Sequence, residues 1–258
     1  MRIQVFFGSR SDERVYTALA DGLGALGLDV RLDVISAHRE PEELSNRTKA
    51  SDADVFVCGA GLAAHLPGAV ASRTLKPVFG VPVSSQLGGL DAFLSILQMP
   101  AGIPVLAVAP DAAANVVGFL RMFVRSGRLA RVRIVLPVDA RERPEIRKEL
   151  DHVSGLGKRS GIAVAVGTIC EPGAWNLVGV PIDRHAEGRV STDDVLVIRV
   201  PLLEPAEIQH PETAVRLLRA ATEGVWVGIS NFRNAFLAAL RWMNNGAWNE
   251  FLASQARG

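Results

Sequence analysis

The residue with the clearest chemical potential is His65, in the run Gly-Ala-Gly-Leu-Ala-Ala-His-Leu-Pro-Gly at residues 59–68. Glycines let the backbone adopt positive φ angles and approach a ligand closely, so this run predicts a loop built around a small molecule. An imidazole in such a loop could exchange protons near neutral pH. The alternative is a buried imidazole that only hydrogen-bonds to the backbone.

A second segment, Gly-Ser-Arg-Ser-Asp at residues 8–12, has the composition of an anion-binding turn. It lies between a predicted strand and a predicted helix, where free N–H groups and the helix dipole attract negative charge. Its two serines add hydroxyl donors, and Asp12 could accept hydrogen bonds from sugar hydroxyls. The alternative is an ordinary helix N-cap formed by Ser11 or Asp12.

A third segment, Ser-Ala-His-Arg-Glu-Pro at residues 36–41, also follows a predicted strand and precedes a predicted helix. Arg39 offers a planar fork for phosphate, Ser36 a hydroxyl, and His38 a proton donor that titrates near neutrality. The alternative is a surface loop with an incidental histidine.

Alternating strands and helices over residues 1–125 predict how these segments are positioned. The pattern favours a parallel sheet covered by helices on both faces. The predicted strands cover residues 3–7, 30–35, 54–58, 78–81 and 105–108, and the predicted helices residues 12–26, 42–50, 63–74, 90–98 and 112–126. In such a sheet, ligands bind at the carboxyl ends of the strands, where all three segments lie. This common location favours a nucleotide-phosphate site over the separate alternatives.

The composition excludes several classes of function. The 258 residues include 28 Lys and Arg against 27 Asp and Glu, so charge does not direct the chain to nucleic acid or to a membrane surface. No apolar run approaches the roughly 20 residues of a membrane span, and the first residues lack the features of a signal peptide. Cys58 and Cys170 do not have the spacing of a zinc site or a disulfide framework. We expect a cytoplasmic protein that uses neither a metal nor an organic cofactor.

The strand–helix pattern starts again after residue 127, which suggests an internal repeat with a period of about 130 residues. The alternative is that any two α/β halves look alike. The segments that match keep their order, namely residues 132–141 with 1–10, 144–153 with 12–23, 193–197 with 53–57, and 224–229 with 102–108. Nothing in the second half matches the run around His65. We therefore expect two domains, residues 1–128 with the site and residues 129–258 as a copy without it.

The remaining histidines and the tryptophans have simpler interpretations. His152, His185 and His210 lie in polar surroundings and are expected at the surface. The four tryptophans all lie in the second half without interleaved basic residues, which favours a core or a subunit interface over a platform for stacking bases. They are Trp175, Trp226, Trp242 and Trp248.

Taken in their order along the chain, the three segments resemble the motifs of the PurE family of purine biosynthesis. Two further segments share this resemblance, Gly-Val-Pro-Val at residues 80–83 and Ser-Ile-Leu-Gln-Met-Pro-Ala-Gly at residues 95–102. The resemblance covers about residues 1–126. It implies a flavodoxin-like sheet, an octamer with active sites between subunits, and no cofactor. It also implies the reaction, in which a carboxylate moves from the exocyclic nitrogen of N5-carboxyaminoimidazole ribonucleotide to ring carbon 4, with CO2 released, held and recaptured.

The resemblance also implies roles for individual residues. His38 would be the proton shuttle, and His65 would form part of the pocket around the base and CO2. The implied substrate contacts are Ser11, Ser36 and Arg39 at the 5′-phosphate, Asp12 at the ribose, Ser9, Gly61, Ala64 and Leu66 around the base and CO2, and Ala37 as a further contact.

Three departures from the family pattern concern the substrate more than the reaction type. Leu62 stands where the family usually has glycine, and Glu40 where it usually has threonine. Residues 109–112 replace a loop that usually contains glycine.

If residues 129–258 are a degenerate copy, the chain is a fused pseudo-dimer, and the octamer becomes a tetramer of two-domain chains. The resemblance favours the mutase as the function of this chain. Two alternatives remain open, a carboxylase or decarboxylase acting on this or another nucleotide and a non-catalytic nucleotide-binding subunit.

Overall fold

The computed structural model describes residues 1–127, 129–182 and 194–257. Its first five strands form one parallel sheet in the order β2-β1-β3-β4-β5, the flavodoxin-like order that the resemblance implies. They are β1 Arg2–Phe7, β2 Asp29–Val34, β3 Val55–Ala60, β4 Val78–Pro82 and β5 Leu106–Ala107. The central strands β1, β3 and β4 are buried along almost their whole length, as expected for continuous apolar runs with helices on both faces.

Five helices follow these strands, as the sequence predicts. They are α1 Glu13–Gly24, α2 Pro41–Ala50, α3 Leu66–Ala71, α4 Leu90–Leu97 and α5 Ala113–Ser126. The helix predicted at residues 63–74 is shorter at both ends, and it begins only at Leu66 because Leu62 has a left-handed φ of 53°. Among the described residues, no helix has the length and apolar character needed to cross a membrane.

The second half forms a parallel sheet of its own in the order β7-β6-β8-β9. Its strands and helices are β6 Arg131–Val135, α6 Pro144–Ser160, β7 Ala163–Gly167, β8 Trp175–Pro181, β9 Leu196–Leu202, α7 Pro211–Ala220, α8 Phe232–Met243 and α9 Asn249–Ala256. With β6 in the place of β1, this order repeats that of β2-β1-β3-β4. The order agrees with an internal repeat, which stays a hypothesis. His185 and the start of the match at residues 193–197 lie outside the described residues.

A short extended segment around Trp226 joins the two sheets. The backbone of Trp226 exchanges two hydrogen bonds of 2.8 Å with Ala107 of β5, in an antiparallel bridge. On its other side the segment bonds to Arg199 of β9, through Val225 O at 2.9 Å and Val227 N at 3.0 Å. The strands of both halves therefore form one hydrogen-bonded layer.

The core between the halves is aromatic. Helix α8 is buried on most sides, and Trp242 near its end lies with its ring centroid 4.4 Å from that of Phe123 on α5. Trp175 and Trp226 are almost fully buried, which confirms a core position for these two tryptophans. His152 and His210 are exposed, as predicted.

Candidate active site

The strand register brings the three polar segments to one edge of the first sheet. Phe7, the last residue of β1, is aligned with Val34 of β2 and with Gly59 of β3. Residues 8–12, 35–40 and 61–65 therefore leave the sheet side by side at its carboxyl edge, as expected for a parallel α/β fold.

Two histidines meet at this edge. Nε2 of His38, in the loop after β2, lies 2.7 Å from Nδ1 of His65, which immediately precedes α3. The rings are nearly perpendicular, with an interplanar angle of 86°. Both side chains are exposed, so the alternative of a buried structural imidazole at His65 is wrong. One nitrogen must donate and the other accept, so the pair shares a single proton across this contact.

The loop after β1 forms a small hydrogen-bond network. Ser9 Oγ accepts from the N–H of Ser11 at 3.2 Å and lies 2.7 Å from Ser11 Oγ. Ser11 Oγ in turn donates to Asp12 Oδ1 at 3.0 Å. Ser9 therefore caps a short 3-10 turn, Arg10–Asp12, which leads into α1. Asp12 occupies the N-cap position of α1, as the alternative expects, but its side chain makes no capping hydrogen bond. The second carboxylate oxygen of Asp12 is buried and has no partner within the described chain, so it is available as an acceptor.

The environment of Asp12 favours the neutral carboxyl. Burial raises the pKa of Asp12, the hydrogen bond from Ser11 opposes this, and the negative charge of Asp111 raises the pKa further. Asp111 lies in the loop after β5, has a φ of 57°, and accepts from the N–H of Ser84 at 3.0 Å. The motifs did not single out Asp111, although its place after a strand of the parallel sheet was a usable signal.

The loop after β2 holds its own backbone in a turn. Ser36 Oγ accepts from the N–H of Arg39 at 3.3 Å, and the Glu40 carboxylate accepts from the N–H of Ser36 at 3.4 Å. Glu40 therefore binds an N–H group in front of α2, which begins with Pro41. The exposed guanidinium of Arg39 has no ion-pair partner among the described residues. Ala37, in the same loop, is half-buried.

The loop after β3 is tightly packed at Gly61 and strained at Leu62. A Cβ on Gly61 would lie 3.3 Å from the carbonyl oxygen of Val83, so a side chain fits poorly there. Leu62 has a φ of 53° and a side chain that is 57% exposed. Ala64 and Leu66 are each only 2% exposed. Their side chains support the loop from the core, and their contact with substrate stays a prediction.

The sheet order and the polar loops at its carboxyl edge define a flavodoxin-like α/β protein. The chain belongs to the AIR carboxylase family, whose model matches residues 2–123. It is 50% identical over 113 residues to the N5-carboxyaminoimidazole ribonucleotide mutase of Methanocaldococcus jannaschii, covering 44% of this chain and 72% of that protein.

A second relative agrees with this membership. The chain is 47% identical over 119 residues to the N5-carboxyaminoimidazole ribonucleotide mutase of Brucella melitensis, covering 44% of this chain and 74% of that protein. The structure of Treponema denticola PurE has a TM-score of 0.42 at 25% identity and covers 46% of this chain and 78% of its own. Within the described ranges, no three or more His, Cys, Asp or Glu side chains are grouped so as to hold a metal ion.

Proposed function

We propose that this chain is an N5-carboxyaminoimidazole ribonucleotide mutase, an isomerase that moves the carboxylate from N5 to ring carbon 4 without a cofactor. The observation that carries the proposal is the contact between His38 and His65 beside two loops rich in phosphate-binding groups. The relatives that bear the name of this enzyme support the proposal.

The histidine pair suits the proton balance of the reaction. Loss of CO2 from N5 leaves a nitrogen that needs a proton, and attack of carbon 4 on CO2 leaves a carbon that must lose one. A single imidazole can give the first proton and take the second, so no net proton is consumed. His65 contacts Nε2 of His38, which leaves Nδ1 of His38 for the substrate.

The flanking loops would fix the nucleotide. Arg39 would pair with the 5′-phosphate, helped by the hydroxyl groups of Ser11 and Ser36. The unpaired carboxylate oxygen of Asp12 would accept a hydrogen bond from a ribose hydroxyl. Held in this way, the ring stays close to the released CO2, which favours recapture over escape.

We also propose that the second half positions the site rather than forming it. The buried guanidinium of Arg241 on α8 donates to the carbonyl of Ala71, at the end of α3, at 3.4 Å. His65 directly precedes that helix. Residues 129–258 would therefore act as a second domain that fixes α3 from behind.

The exposure of the site supports an assembly of two-domain chains. His38, Arg39 and His65 are exposed, whereas carboxyl transfer requires a pocket that excludes water. A neighbouring chain would close the site, which agrees with the expected tetramer of two-domain chains. Light scattering after size-exclusion chromatography tests this, and a monomer under assay conditions would contradict it.

The enzymatic test follows the ring-carboxylated product by absorbance, starting from aminoimidazole ribonucleotide and bicarbonate. Product that forms quickly only with the upstream carboxylating synthetase and ATP identifies a mutase. Product at low bicarbonate without the synthetase identifies a direct carboxylase. His38→Ala should abolish turnover and retain nucleotide binding, whereas His152→Ala, a change at an exposed histidine in the second half, should leave turnover intact.

A second candidate is a related carboxylase or decarboxylase that acts on another nucleotide. The exposed Leu62 side chain favours it, because it adds bulk to the loop next to His65. Turnover of aminoimidazole ribonucleotide that appears only after Leu62→Gly would support this candidate, because the unsubstituted chain would then be specific for a different nucleotide. Nucleotide binding without turnover in any variant would instead indicate a binding subunit.

A further inference from the structure

A cavity of about 380 Å³ lies between the two halves, apart from the histidine pair. One wall is helix α5 of the first half, and the other is the start of β9 together with residues 223–225 of the second half. The volume falls in the range of small-molecule sites, roughly 300–1,000 Å³.

Arg199 is the most unusual group in this cavity. Arg199 is half-buried, and this burial lowers the pKa of Arg199 despite the nearby Glu223. It faces the ring of Trp226 at 5.9 Å. Among the described residues, it has no hydrogen-bond or ion-pair partner for its side chain, although a buried charge is costly unless it is paired. An anion in the cavity would supply the missing partner.

Gly224 is required for this position of Arg199. A Cβ on Gly224 would overlap the Arg199 guanidinium, and the φ of 74° at this residue also favours glycine. The absence of a side chain at Gly224 therefore leaves room for the guanidinium that lines the cavity.

Helix α5 adds two more arginines and an opening. Arg121 and Arg125 line the cavity one helical turn apart, and Arg125 reaches Asp194 only at 3.8 Å between exposed side chains, a weak pairing. Gly118 lies one turn earlier on the same face, and a Cβ there would meet no atom within 4 Å. Glycine inside a helix is less stable than alanine. At this position it keeps the cavity open.

We propose that this cavity binds an anionic small molecule of the nucleoside monophosphate class. Three arginines against the single carboxylate of Glu223 line the cavity, and guanidinium groups favour phosphate. Phe119 and Met122 on α5 provide an apolar surface for a ring. Because both halves contribute, the ligand binds across their boundary and holds them together.

The test uses adenosine monophosphate as the probe and isothermal titration calorimetry as the readout. All titrations start from Arg39→Met, which impairs the phosphate site of the proposed mutase centre. This chain should still bind one equivalent of the probe. Adding Arg199→Met or Gly118→Leu should weaken binding at least about tenfold, since one removes a charge-assisted donor and the other fills the cavity. Gly155→Leu, at an open glycine inside helix α6, is the matched control and should bind like the parent.

Several results would overturn the proposal. One is the loss of all probe binding in Arg39→Met, which would assign the nucleotide to the mutase centre alone. Another is unchanged affinity in Gly118→Leu, a substitution that favours helix formation and so avoids the folding problem of Arg199→Met. In the unsubstituted chain, the probe should slow hydrogen exchange in α5 and β9, and no protection there would equally contradict the site. None of these outcomes depends on carboxyl transfer, so the two proposals fail separately.

Discussion

Asn234→Ala should be one of the most destabilising polar substitutions in the chain, because this side chain links the two halves. Asn234 lies on α8 and is 1% exposed. Its Oδ1 accepts from the N–H of Gly102 at 2.8 Å, and its Nδ2 donates to the carbonyl of Pro100 at 2.9 Å. Both partners belong to the loop before β5 in the first half.

The magnitude follows from what the substitution leaves behind. The N–H of buried Gly102 would lose its partner, which costs about 1–3 kcal/mol, and the second hydrogen bond adds about 1 kcal/mol. The loop has no room to move so that water could reach this N–H, because the backbone of Gln255 packs directly against Gly102. We therefore expect the free energy of unfolding to fall by about 2–4 kcal/mol.

Asn115 provides the matched control. It lies near the start of α5 and donates through Nδ2 to the carbonyl of Thr222 in the other half, at 3.1 Å. Thr222 is exposed, so water can replace the donor, and Asn115→Ala should cost no more than about 1 kcal/mol.

Urea unfolding, followed by tryptophan fluorescence and by far-ultraviolet circular dichroism, measures both changes. Fluorescence reports on the second half and circular dichroism on the whole chain, so coincident transitions would show that the halves unfold together. A loss below 1 kcal/mol in Asn234→Ala, or equal losses in the two variants, would refute the reasoning.

Three further predictions concern the site and its support. Leu62→Gly should leave the free energy of unfolding unchanged or raise it by up to about 1 kcal/mol in urea titrations, because relief of the left-handed φ offsets the entropy of glycine. A fall in the free energy of unfolding would contradict this and would mean that a neighbouring chain covers this side chain. Asp12→Asn should become more stable relative to the parent as pH rises above about 4, because the folded-state pKa of Asp12 lies above its unfolded value and ionisation therefore costs stability; parallel pH profiles of stability would contradict this. Arg241→Met should lower the free energy of unfolding by about 1–3 kcal/mol, because the carbonyl of Ala71 loses its donor, while the burial that lowers the pKa of Arg241 to about 10 limits the loss; an increase in thermal stability would show that burial of the charge dominates.

Much of the first half could be predicted because its signals are local. Apolar runs and helical periodicity are properties of neighbouring residues, so the order of strands and helices was correct. Most ends moved by one or two residues, and α3 lost three residues at each end. The rule that parallel sheets bind ligands at their carboxyl edge then placed the three segments together without knowledge of any contact. Leu62 shows the limit of the approach. The sequence identified an unusual residue, but only the backbone angle showed that the position is left-handed.

The sequence by itself determined the family and the segments that carry His38 and His65, because these depend on the order of motifs, and the family resemblance in turn implied the sheet order. Only the tertiary structure decided that the two imidazoles touch, that Asp111 acts on Asp12, and that Trp226 joins the two sheets. Each of these contacts links residues far apart in the chain, and its distance depends on how several elements pack at once. No pattern among neighbouring residues encodes such a distance.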